Sequence, residues 1–155
     1  MTLTLTKSLP KTLTAQQAAD VRRTWERDTT ALADEVQAWA EQEGAGRGWR
    51  VECEGKELSE EKVGGTYRVP IVTIHAPHGD LVLEPIARVV PAVMGAQGRV
   101  DLYAYPSFFR VMLMHRSSGG GGPLEWVVRT ESGLDWPQPW GRETFLTLAD
   151  GLLKA

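Results

Sequence analysis

Cysteine is nearly missing from this 155-residue chain: Cys53 stands alone, so no intrachain disulfide can form and nothing points to an oxidising compartment. Long apolar runs are missing as well. No stretch approaches the roughly 18 residues that a spanning helix needs, and the first residues lack the continuous apolar core of a secretory signal. A cytoplasmic protein with no membrane partner is therefore expected. Surplus positive charge is the third absence: 17 Lys and Arg face 20 Asp and Glu, a net of −3, whereas a nucleic-acid binder usually carries a basic surface. The excess acid is concentrated early, with 12 acids against 8 bases over residues 1–61 and 8 against 9 over 62–155.

What is present is an ordinary globular composition, 42% apolar and 24% charged, outside the region where chains stay unfolded. At this length one core is expected, removing about two-thirds of the unfolded chain's accessible surface from water. Tryptophan is abundant, with six: Trp25, Trp39, Trp49, Trp126, Trp136 and Trp140. Each buries on the order of 200 Å², in a core or at an interface.

Residues 1–13 read as an N-terminal arm, either a strand, from the alternation Thr2, Leu3, Thr4, Leu5, Thr6, or a disordered tail. Residues 14–155 read as one α+β domain: a long N-terminal helix, an antiparallel meander of about five to six strands, and a short C-terminal helix. Thr14 to Glu43 contains neither Gly nor Pro, Thr14 and Gln17 have capping-box spacing, and Gly44 is expected to be a C′ stop. Ala18, Val21, Trp25, Leu32, Val36 and Trp39 form one stripe, interrupted near Thr29. At about 1.5 Å per residue such a helix is roughly 45 Å long, longer than the sheet expected to cover it, so part of the stripe is left for a partner or a second copy.

Strands are expected at Trp49–Glu54, Tyr67–His75, Leu81–Val90, Arg99–Tyr105, Phe108–His115 and Leu124–Thr130, with short antiparallel connections. In the second of these, alternation puts Tyr67, Val69, Ile71 and Thr73 on one side, and Pro70 marks an edge or a bulge. Residues 55–65 and 116–123 are expected to be loops. Near the end, Gly141 as N-cap would set Trp140 and Phe145 at the spacing of a hydrophobic staple.

Candidate chemistry is sparse. His75, His78, Asp80 and Glu84 are the only concentration of metal-ligand types, but they straddle a Pro-Gly turn and lack a ligand spacing, so neither a metal nor another cofactor is expected. Glu52, Glu54 and Lys56 have the acid-x-base order of metal-dependent nucleases, and need Glu84 or Asp101 from a neighbouring strand to complete a site. Cys53, between two glutamates, is a poor nucleophile and reads as a core residue. The glycines at 44–48 follow a helix instead of opening one, and those from Gly119 end without Lys-Ser/Thr, so neither forms a phosphate loop. Arg68, Arg88, Arg99, Arg110 and Arg129 fall one per expected strand. Sharing a face, they would make with Tyr103, Tyr105 and Phe109 a surface for an acidic partner or single-stranded nucleic acid.

Three functions follow in order. The first is a non-enzymatic protein-binding or accessory subunit, contacting another protein or a second copy through the helix, with Trp25, Trp39, Trp136 and Trp140 as anchors. The second is a metal-dependent hydrolase or nuclease built on Glu52, Glu54, Lys56, His75, His78, Glu84 or Asp101. The third is a weak nucleic-acid-binding module using the arginines.

Overall fold

The computed structural model describes residues 12–91, 95–117, 124–130 and 138–154. Helix α1 (Ala15–Gly44) is followed by strands β1 (Arg50–Glu60), β2 (Gly65–Ala76), β3 (Gly79–Ala87), β4 (Arg99–Tyr105), β5 (Arg110–Ser117), β6 (Leu124–Thr130) and β7 (Gln138–Pro139), then helix α2 (Arg142–Lys154). The strands form one antiparallel meander in sequence order, and both helices pack against it. The fold class is the expected one, with seven strands in place of five to six: β7 is two residues long and leaves no period-two pattern to read. Of the N-terminal arm, residues 1–11 lie outside the described residues, as do 118–123 of the second expected loop.

Helix α1 begins as its sequence dictates. The Thr14 hydroxyl accepts from the Gln17 amide at 3.1 Å and the Gln17 side chain accepts from the Thr14 amide at 3.0 Å, the reciprocal capping box. The break in the stripe at Thr29 is no break. Thr29 is buried, and its hydroxyl donates to the Trp25 carbonyl at 2.9 Å, so the polar atom is satisfied inside the helix. Gly44 is not the left-handed stop expected of it. It closes the helix, and the residue after it remains right-handed at φ −56°. What Gly44 provides is proximity: a Cβ there would stand 2.8 Å from the Trp49 Cβ.

The expected loop at 55–65 is instead the distal half of a hairpin. Strands β1 and β2 pair without interruption from Arg50↔His75 to Glu60↔Gly65, and a single 3-10 turn, Glu61–Val63, joins them. This supplies the support that the sequence left missing under the helix. Val63 is fully buried, the Arg22 guanidinium donates to its carbonyl at 2.6 Å, and Gly64 at φ +86° sits against Arg22 and Ala18. Eleven paired residues span about 36 Å at roughly 3.3 Å each, so the stripe from Ala18 to Ala40 is covered by the protein's own sheet.

Alternation within the hairpin also departs from simple period two. Tyr67 and Val69 face inward, but so do Val72 and Ile74, not Ile71 and Thr73. The parity changes at Pro70, which stands opposite Gly55. A proline that cannot donate, paired with a residue lacking a side chain, is where the ribbon turns its faces.

Beyond the hairpin the two faces of the sheet separate cleanly. Leu81, Leu83, Val100, Leu102, Leu113 and Val128 face the helices and are buried. The opposite face carries Glu84, Asp101, Tyr103, Arg110 and Arg129, with a small apolar group of Met112, Met114 and Val127. Helix α2 docks by the expected staple: the Phe145 amide donates to the Gly141 carbonyl at 2.9 Å, and the Trp140 and Phe145 rings lie 5.9 Å apart. Phe145 is fully buried. No described helix is long and apolar enough to cross a membrane.

Candidate functional site

Trp25 is 1% exposed and packs 5.8 Å from Trp126, with His115 stacked on Trp126 at 4.2 Å. Its indole is enclosed by its own chain and presents no surface. Trp39 and Trp140 are partly buried, 5.8 Å from each other and 5.9 Å each from Phe145, locking α2 onto α1. Trp136 lies outside the described residues.

Beside Trp25 is a partly buried ionic group that the sequence did not signal. The Glu60 carboxylate accepts from the amides of Arg88 and Val89 at 3.0 and 3.1 Å and from the Tyr67 hydroxyl. Burial and this carboxylate hold the Tyr67 phenol well above its ordinary range, so it stays a donor. Burial pushes the His115 imidazole down to about 4, against the attraction of Asp28.

His75 and Asp80 do come together, joined by Glu52. The His75 ring lies 2.9 Å from Asp80 through Nδ1 and 3.1 Å from Glu52 through Nε2, across the register neighbours of β1, β2 and β3. The carboxylates of Glu52 and Asp80 raise the imidazole above its usual value, and in return His75 and Arg50 lower that of Glu52. With a carboxylate at each nitrogen, the ring bridges strands and has no free nitrogen for a substrate. Glu84 is engaged by Lys56 and by the Tyr103 hydroxyl at 2.9 Å, and Asp101 by Arg99 at 2.7 and 2.9 Å. Of the carboxylates in the hydrolase reading, Glu52, Glu84 and Asp101 are each opposed by a cation, and Glu54 lies exposed on β1. His78 is in the β2–β3 turn, apart from this group. Among the described residues no three His, Cys, Asp or Glu side chains converge as metal ligands. Cys53 is exposed, contrary to the core position expected for it, because it lies on the edge strand. Partial burial of the sulfur, then Asp34 and Glu54, raise its thiol.

The five arginines do not share one face. Arg99, Arg110 and Arg129 lie on the side away from the helices, and the buried Asp101 carboxylate draws on both Arg99 and Arg110. Arg88 is buried on the helix side and donates to Gln97 at 3.1 Å. Arg68 sits at the distal hairpin against Glu57.

The feature without an internal purpose is the β4–β5 turn. The expected strand at Phe108 begins only at Arg110, and Pro106–Phe109 form the turn that follows Tyr105, the last residue of β4. Tyr105, Phe108 and Phe109 are 52%, 63% and 56% exposed. The turn is nonetheless fixed: the Phe108 amide donates to the Ala104 carbonyl at 2.8 Å and the Ala104 amide to the Phe109 carbonyl at 2.9 Å. Tyr105 and Phe108 meet edge to face at 5.3 Å. Phe108 is held at φ +63°, the one non-glycine residue with positive φ among those described, a conformation that costs a side chain about 1–2 kcal/mol.

Beneath this turn runs a groove in two lobes. One, about 230 Å³, lies between Tyr105, Pro106, Ser107, Leu152 and Leu153. The other, about 400 Å³, is lined by Arg47, Trp49, Pro77, Asp150 and Lys154. His78, Gly79 and Leu153 border both. The Arg47 guanidinium lies 5.0 Å above the Trp49 ring and bonds Asp150. The sequence named Tyr105 and Phe109 only as companions of the arginines and gave no binding role to Phe108, Arg47 or Lys154, nor one to Trp49 beyond its place among the six tryptophans. A signal existed in Tyr-Pro-Ser-Phe-Phe, a turn dipeptide flanked by aromatics where Gly, Asn or Asp are usual. Comparison with protein-family models, with curated proteins and with solved structures finds no match.

Proposed function

We propose that this protein is a non-enzymatic protein-binding subunit that engages another protein through the Tyr105–Phe109 turn. The observation carrying the reading is three adjacent exposed aromatic side chains on a hydrogen-bonded turn, one of them held in left-handed backbone. Rigid aromatics bury much area on contact at little cost in conformational entropy. Backbone strain at an exposed residue that packs on little of its own chain is a mark of a functional position. The tryptophans of the helix stripe act here as the framework, holding α1, α2 and the sheet so that the turn has a fixed base.

The test is a benzophenone photo-cross-linker in place of Phe109, in the source cell, with the same group in place of Lys62 at the far end of the hairpin. A discrete adduct with a different protein, formed from position 109 and absent from position 62, is the expected result. No adduct, the same adducts from both positions, or only an adduct of twice this chain's mass would overturn the reading.

A further inference from the structure

The groove beside the turn carries charge of one sign to spare. Of its ionisable groups, Arg47 and Lys154 are cationic and Asp150 is the one carboxylate, bonded to Arg47. Neither Lys154 nor His78 has a carboxylate partner among the described residues. The neighbouring lobe is apolar on the Leu152, Leu153 and Pro106 side and opens under Tyr105. The larger lobe is within the range of about 300–1,000 Å³ typical of ligand sites.

We propose that this groove receives an acidic peptide segment of the partner, its carboxylate seated between Arg47, Lys154 and His78 and its neighbouring apolar side chain in the lobe beneath Tyr105. The proposal rests on the protein-binding reading and gives the partner its chemistry. Arg47 is pre-oriented by its contact with Trp49, so part of its ordering cost is already met before a carboxylate arrives. Lys154, exposed at the end of α2, adds a second cation to the lining of the same groove. An apolar anchor followed by an acid satisfies both lobes at once, whereas a basic segment would set like charges together.

Amide chemical shifts of the full chain, titrated with acetyl-Phe-Glu-Glu-amide and separately with acetyl-Phe-Lys-Lys-amide, test this. The acidic peptide should shift Gly79, Tyr105 and Leu153 saturably and bind at least tenfold tighter than the basic one, and Lys154→Glu should weaken it at least fivefold. Equal affinity for the two peptides, shifts elsewhere, or no shifts would overturn the proposal. If the photo-adduct from position 109 persists while the acidic peptide fails, the chemistry of the groove is wrong and the contact surface stands. If both fail, the surface itself is wrong.

Discussion

Two phenylalanines at opposite ends of the burial scale should respond in opposite ways to truncation. Phe108 is 63% exposed at φ +63°, and its recorded ring contact is with Tyr105 at 5.3 Å. Replacing it by Asn, which tolerates left-handed backbone, returns about 1 kcal/mol of backbone strain and forfeits about 0.5 kcal/mol of aromatic contact. Phe108→Asn should therefore leave the midpoint of thermal unfolding unchanged or raise it by about 1–2 °C, at roughly 2–4 °C per kcal/mol for a chain of this size. Phe145, fully buried between Trp39 and Trp140, should lose about 3–5 kcal/mol on truncation to Ala, a fall of roughly 6–20 °C. Differential scanning calorimetry on the two variants reads both numbers. A fall of more than about 3 °C in Phe108→Asn, equivalent to about 1 kcal/mol, would mean that Phe108 stabilises its own chain and is not a strained anchor held for a partner.

Four further outcomes follow from the structure. Glu60→Ala strands the amides of Arg88 and Val89 and the Tyr67 hydroxyl, and should cost about 3 kcal/mol in urea unfolding. Gly44→Ala, which helix propensity alone would favour by about 1 kcal/mol, should destabilise, because its Cβ would stand 2.8 Å from that of Trp49. A gain in denaturation midpoint would contradict the close approach. Acid should act through His115, whose value of about 4 in the fold lies below the ordinary 6.5. As pH falls from 6.5 to 4 the unfolded chain takes up a proton that the folded one refuses, so stability declines over that window. His115→Gln should flatten the decline. His75 works in the opposite sense, since its raised value adds stability that is complete below 6.5 and is lost as pH rises through the folded value. His75→Gln should remove the gain in stability that accompanies the fall of pH toward 6.5.

Most of the architecture could be read from the chain because local signals and tertiary packing agreed. The Thr14 capping box, the Trp140–Phe145 staple and the strands Arg99–Tyr105 and Leu124–Thr130 stand as their residues suggest. Disagreement arose where composition hid pairing. Gly55, Lys56 and Glu57 look like a loop, but on an edge strand charged residues can face water while the backbone pairs on its other side, so β1 runs to Glu60. That hidden half-hairpin decided the fate of the helix: with it in place, the stripe that looked too long for its sheet is covered. The candidate groove was not legible for a different reason. Arg47, Pro77, Tyr105 and Lys154 come from four separate connections or ends, and only the meander brings them to one edge of the fold.

Hydrogen exchange of the chain alone and with its cross-linked partner protein added separates the two surfaces most directly. Protection should appear at residues 76–79, 104–110 and 150–154, while the amides of α1 from Ala18 to Ala40, already shielded by the chain's own sheet, remain unchanged. New protection along α1 around Trp25 and Trp39, with the Tyr105–Phe109 turn exchanging as before, would contradict the account.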